Sequence, residues 1–236
     1  MVEIEDLSSA LFWLLDRIGK TIETEDDLKI AKFFFNEALL VLKKVASKDL
    51  RQIVKEFILL KSKHDYETFS EKWFEEDVFN YKSSGLNRWV NWIDCHSNNK
   101  AKRRGPCGTW KLLHVMSIYG PEKSKDFSNA ANYSSMIANF ISTHFPCIGC
   151  RKDFSQRIGK TQTKLRSRDP SKIRENDDLI IWLWKLHNDV NETLMKDRGL
   201  DSMQFGDVEN FPKRIWPDER TTEEEILAIL RKEYKI

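Results

Sequence analysis

The sequence predicts an all-α protein, and three observations lead to that class. Apolar residues recur at three- and four-residue spacing through most of the long segments, the period of a helix face. Gly and Pro, which punctuate sheet proteins, number only 9 and 6 among 236 residues. Charged residues make up 32% of the chain and apolar ones 40%, so solvated helix faces can enclose a real core. This length accommodates one large domain or two small ones. A soft boundary near residue 90 divides a helical region, 1–90, from a second helical domain, 91–236.

The first element carries Leu11, Phe12, Leu14, Leu15 and Ile18 on one face. Thr24 and Asp27 form a capping-box pattern that opens the second. There Leu28, Ala31, Phe34, Phe35, Ala38, Leu39 and Leu42 recur at helical spacing. A third runs from Leu50 to Leu60, with Ile53, Val54 and Phe57 on one side. These stripes read as core, and nothing in this part carries chemistry. Residues 70–100 read as a transition rich in Trp and Phe, with a turn at Ser83-Ser84-Gly85. Beyond it a short helix is expected from Trp110 to Tyr119, ended by Gly120-Pro121. A longer one is expected from Asp126 to His144, broken by Phe145-Pro146, and a new helix starts at Cys147 and runs through Ile158. Residues 161–175 read as a basic loop. Asp177 or Asp178 caps a helix reaching about Met195. A turn-rich segment around Phe211-Pro212 precedes a final amphipathic helix from Glu223.

Charge and hydropathy exclude several function classes. A net charge of +2 exerts no global pull on nucleic acid or an anionic membrane. No apolar run approaches the roughly 20 residues that span a bilayer. Glu3, Glu5 and Asp6 stand where a signal peptide has a basic start, and Asp16 and Arg17 interrupt the apolar stretch, so no leader pattern is visible.

The four cysteines fall as Cys95 and Cys107, then Cys147 and Cys150. Two disulfides or one four-thiolate zinc site both satisfy that count. The long spacing of the first pair favours a bridge that pins the basic loop between them. A Cys-x-x-Cys at a helix start is a redox arrangement, because unpaired amides and the helix dipole there favour the thiolate. Trp110 and His114 are four apart and share a helix face, as do His187 and Asn191, with Asn188 beside them. Imidazole, amide and indole groups converging with a Cys pair, Trp182 among them, suit a polar aromatic ligand such as a flavin.

Four blocks carry a family resemblance: Arg-Gly-Pro-Cys-Gly-Thr-Trp-Lys-Leu-Leu-His (104–114), Phe-Pro-Cys-Ile-Gly-Cys-Arg-Lys-Asp-Phe (145–154), Trp-Leu-Trp-Lys-Leu-His-Asn-Asp-Val-Asn (182–191) and Phe-Pro-Lys-Arg-Ile-Trp-Pro (211–217). In this order they resemble the Erv/ALR sulfhydryl oxidases, and more closely the Erv domain of the quiescin type. The helical first part is similar to the pseudo-Erv region that precedes that domain. The resemblance implies an all-α helical bundle holding FAD, preceded by a second helical, pseudo-Erv region. It implies FAD contacts from Arg103 or Arg104, Trp110, His114, Trp182, His187, Asn188, Asn191, Lys213 and Trp216. It makes Cys150 the flavin-proximal thiol, Cys147 the interchange thiol and Cys95–Cys107 a structural disulfide, with no metal. The implied activity oxidises dithiols to disulfides and reduces O2 to H2O2. Thiol proteins or a thioredoxin-like domain would be the partners, a dimer is an expected form, and the secretory pathway or the extracellular space is the expected compartment. Asp153 departs from the family pattern, standing where the quiescin type has His. A zinc-binding interaction module and a non-catalytic helical scaffold are the competing readings.

Overall fold

A computed structural model describes residues 2–72, 91–95, 104–127, 129–159, 168–196 and 221–236, with the side chains of 194–196 left aside. The described residues form nine α-helices, two 3-10 turns and no strand.

Helix α1 (Ile4–Arg17) places Glu5 and Asp6 in its first turn and Arg17 in its last, matching the helix dipole. Helix α2 (Glu25–Leu42) opens on the Thr24/Asp27 capping box, as expected from the sequence. Ser47 caps α3 (Lys48–Leu59) by accepting from the Leu50 N–H. A second capping box, Ser62 with Asp65, opens α4 (Lys63–Ser70), a short helix that the sequence reading did not separate from its surroundings.

Helix α5 (Arg104–Lys123) is longer at both ends than expected and carries Pro121 inside it. Proline removes one backbone donor, and near a helix end that loss leaves the remaining ladder intact. Gly120 lets the Tyr133 ring press against the same turn, closer than a Cβ would permit. Helix α6 (Ala130–His144) begins four residues later than expected, because Asn129 caps it from the Asn132 N–H. Helix α7 (Ile148–Ile158) has Cys147 as its cap residue, and α8 (Asn176–Lys196) follows a 3-10 turn at Pro170–Lys172 in the expected loop. Thr222 and Glu225 form the capping box of α9 (Glu223–Glu233).

One apolar core crosses the boundary near residue 90. It joins Leu11 and Leu14 of α1, Phe34 and Phe35 of α2 and Phe57 of α3 to Leu112 and Met116 of α5, Phe140 of α6 and Leu183 of α8. Phe34 and Phe140 stack with centroids 3.6 Å apart. A smaller cluster of Ile180, Ile181, Trp184, Ile226 and Leu230 fastens α9 to α8. The N-terminal helices therefore form the floor on which α5 to α8 rest.

Candidate active site

The site is assembled from α5, α7 and α8. Asp6 of α1 anchors the segment around Cys95. This fully buried carboxylate accepts from the backbone N–H of Ile93 (2.7 Å), Asp94 (3.1 Å) and Cys95 (3.1 Å) and pairs with Lys111 Nζ at 2.8 Å. Cys95 is bonded to Cys107 in the first turn of α5. Gly105 and Gly108 of that turn face Trp13 and Trp92, each ring lying closer than a Cβ would allow. In this chain the glycines of the Arg-Gly-Pro-Cys-Gly block serve close packing of indoles.

One turn on, Trp110 of α5 stacks on His187 of α8, with centroids 4.1 Å apart and planes 8° from parallel. His114 Nε2 lies 3.2 Å from His187 Nδ1. Burial holds His114 well below the usual imidazole range, and the neighbouring His187 adds to the effect. Burial likewise pushes His187 down to about 3. Both rings are therefore neutral hydrogen-bonding groups near pH 7. Tyr234, just past α9, stacks on His114 at 4.5 Å. His114 Nδ1 is buried and has no partner among the described residues, so the cluster presents one unsatisfied imidazole nitrogen. Asn188 and Asn191 lie partly buried on α8 near His187.

Cys147 and Cys150 form the second disulfide, across the N-terminus of α7. Cys147 Sγ accepts from the Cys150 N–H at 3.2 Å. Ile148 between them is 63% exposed, which leaves this face of the pair open to an incoming thiol. The four cysteines are thus divided between two separate bridges rather than gathered as four zinc ligands. Asp153, the departure from the family pattern, is engaged within α7: its carboxylate accepts from Arg157 Nε at 2.8 Å and Nη2 at 2.9 Å. The buried Arg157 also donates to Thr193 Oγ1 at 2.7 Å, which docks the Cys-bearing helix on α8 two residues beyond Asn191.

Arg104 starts α5 and is exposed. Trp182 lies in the core, its indole N–H donating to the Arg168 carbonyl at 2.8 Å. Arg103, Lys213 and Trp216 lie outside the described residues. Reading the sequence did not single out Asp6, Trp13, Arg157 or Tyr234, each of which acts across a long sequence separation. The one available signal was an acidic residue within an otherwise apolar helical stripe, at Asp6.

The Erv1/Alr family model matches residues 107–217. Sulfhydryl oxidase 1 of Arabidopsis thaliana is 35% identical over 123 residues, 52% of this chain and 20% of that protein. Sulfhydryl oxidase 1 of Cavia porcellus is 26% identical over 136 residues, 56% of this chain and 20% of that protein. The chain thus spans about a fifth of the length of these curated relatives. Its fold is that of a sulfhydryl oxidase fragment of human QSOX1, at TM-score 0.69 and 21% identity over 99% of this chain and 95% of that one. With its two disulfides and all-helical bundle, the chain is similar to the Erv1/Alr sulfhydryl oxidases over residues 107–217, just under half of its length.

Proposed function

We propose that this chain is the flavin-bearing part of a sulfhydryl oxidase. The observation that carries the reading is an oxidised Cys-x-x-Cys at a helix N-terminus, docked through Arg157 and Thr193 onto the helix that carries His187 and Asn191. A half-buried pair beside exposed Ile148 and Gly149 would face substrate, and its helix meets the helix of the imidazole cluster.

The residues fit FAD. Stacked Trp110 and His187 offer an aromatic surface, and buried His114 Nδ1 lacks a partner that a polar ligand atom would supply. Trp110, His114, His187, Asn188 and Asn191 would hold it, with Arg103 or Arg104, Trp182, Lys213 and Trp216 as further contacts. When bound, FAD would accept an electron pair from the thiols and pass it to O2, yielding H2O2.

The chain's own chemistry is thiol–disulfide exchange. A donor thiolate attacks Cys147 Sγ, the Cys147–Cys150 bond breaks, and Cys150 departs as a thiolate. The donor's second thiolate then attacks the mixed disulfide and expels Cys147. That leaving sulfur sits at the cap of α7, where the Cys150 N–H and the helix dipole stabilise negative charge. The donor loses two electrons and two protons, and the pair gains them. Neutral His114 and His187 orient by hydrogen bonding rather than by charge.

Thiol proteins or a thioredoxin-like domain are the donors that fit. Disulfide chemistry of this kind belongs in the secretory pathway or outside the cell. The test is an absorption spectrum of the purified protein under air, before and after dithiothreitol. A flavin band that bleaches and recovers with peroxide release, and is lost from turnover in Cys147→Ser, supports the reading. A colourless protein that takes up no FAD overturns it.

A further inference from the structure

The N-terminal helices reach the redox pair through His144 and Phe145, just ahead of Pro146 and the cap residue Cys147. His144, the last residue of α6, is fully buried. Its Nε2 lies 2.8 Å from the Asp27 carbonyl, and its Nδ1 lies 2.8 Å from Thr21 Oγ1. Burial pushes this imidazole down to about 4, so the ring is neutral. Nε2 therefore donates to the carbonyl, and Nδ1 is the acceptor that faces the Thr21 hydroxyl, whose single proton is shared with the Ile18 carbonyl at 2.6 Å. Asp27 belongs to α2 and Thr21 to the 3-10 turn before it. The neighbouring Phe145 meets Trp13 of α1 edge-on at 6.1 Å. The same Trp13 closes over Gly105 in the block that bears Cys107. From the other side, Arg151 Nη1 donates to the Thr143 carbonyl at 2.9 Å and folds α7 back on the turn. Residues 143, 144 and 145 are each tied down, while Ile148 and Gly149 between the thiols are exposed.

We infer that His144, held by Thr21 and Asp27, is a positioning residue for the Cys147–Cys150 pair, and that the N-terminal helical region sets the redox equilibrium of a disulfide it does not contain. The physical link is conformational entropy. Closing the bridge requires the Cys147 turn to occupy one geometry. With His144 latched, that geometry is already imposed on the dithiol. Without the latch, bridge closure must order a loose turn, so the dithiol gains relative to the disulfide. The inference rests on the pair being the redox centre, but its readout needs neither flavin nor oxygen.

The test equilibrates the whole chain in oxidised and reduced dithiothreitol mixtures without air, followed by acid quench, alkylation and mass analysis. The Cys95–Cys107 bridge in the same molecule is the internal reference. Thr21→Val removes the donor to His144 at little change in volume, and His144→Phe removes both bonds. His144→Gln keeps one donor and one acceptor. Phe57→Leu disturbs the N-terminal core away from the latch. One lost buried hydrogen bond of ordinary strength shifts the Cys147–Cys150 equilibrium toward the dithiol roughly fivefold for Thr21→Val, and two shift it roughly tenfold or more for His144→Phe. His144→Gln stays near the wild type, and Phe57→Leu leaves the equilibrium unmoved. The inference is overturned if Thr21→Val matches the wild type, or if Phe57→Leu shifts the pair as far as the latch variants do. Should His144→Phe not fold, Thr21→Val decides. A colourless protein would sink the oxidase reading while leaving this equilibrium fully measurable.

Discussion

Asp6→Asn separates the structural contribution of α1 from everything the redox motif does. The aspartate is fully buried, and both oxygens are in use: Oδ1 accepts from Ile93 N–H, and Oδ2 accepts from Asp94 and Cys95 N–H and from Lys111 Nζ. Asparagine retains one acceptor oxygen. Its less costly orientation turns the NH2 group toward the single Ile93 N–H, so one charge-assisted bond and the ion pair are lost together and the remaining bonds lose their charge. Hydrogen bonds to a charged group are worth about 1.5–3 kcal/mol each, and breaking a buried pair costs about 3–5 kcal/mol. Lys111 keeps Asp94 as a partner at 2.7 Å, which removes the penalty of a stranded cation. The expected loss is therefore about 3–4 kcal/mol, at the lower side of that range. Urea unfolding with both disulfides intact measures it, and Asp94→Asn is the companion variant. Asp94 is 54% exposed at its side chain, so its removal costs under about 1 kcal/mol. A loss below about 1 kcal/mol for Asp6→Asn, or equal losses for the two variants, would refute the view that this carboxylate organises the Cys95 segment.

Gly108→Ala drives a methyl into Trp92 and against Ala10, and Gly105→Ala drives one into Trp13. Each should lower stability by about 1–3 kcal/mol in thermal or urea melts even in protein stripped of any cofactor, which a purely ligand-lining role for these glycines does not predict. Stability should also fall on acidification between about pH 6.5 and 4. His114 and His144 stay neutral in the fold while the unfolded chain binds protons below its ordinary histidine pKa. The unfolded state then carries more protons, so stability rises with pH by about 1.4 kcal/mol per unit for each such histidine. His187, pushed by burial down to about 3, contributes in the same direction. Burial raises the Glu37 and Asp16 carboxyls, whose folded forms take up protons first and so oppose the trend at the acid end. Melts of the wild type and His144→Gln across this range check it: the variant's slope should be shallower by one proton, and parallel curves would contradict the assignment.

Much of the bundle was legible in the sequence because helices are decided by near neighbours. The Thr24/Asp27 box, the start of α7 at Cys147 and the cap of α9 depend on residues three or four apart, and each stands where local chemistry puts it. The Pro121 stop failed for a tertiary reason. The last turn of α5 is packed beneath Tyr133, and one missing donor near a helix end is a small loss against that burial. The site divides in the same way. Trp110, His114, His187 and the Cys pair could be nominated from spacing and resemblance, whereas Tyr234 stacks on His114 from 120 positions downstream.

The sequence by itself determined the helical class, the main helix faces and the Cys-x-x-Cys at a helix start, since periodicity, capping and motif spacing are all short-range properties. Only the tertiary structure decided what holds that chemistry in place. A carboxylate from residue 6 orders residues 93–95, an indole from residue 13 presses on two of the four family blocks, and an imidazole from residue 144 bonds to residues 21 and 27. Such contacts join groups from 87 positions apart, for Asp6 and Ile93, to 123, for Thr21 and His144, and further still for Trp13 and Phe145. Their strength comes from burial in one shared core, and burial is a property of the packed chain that no local window of residues contains.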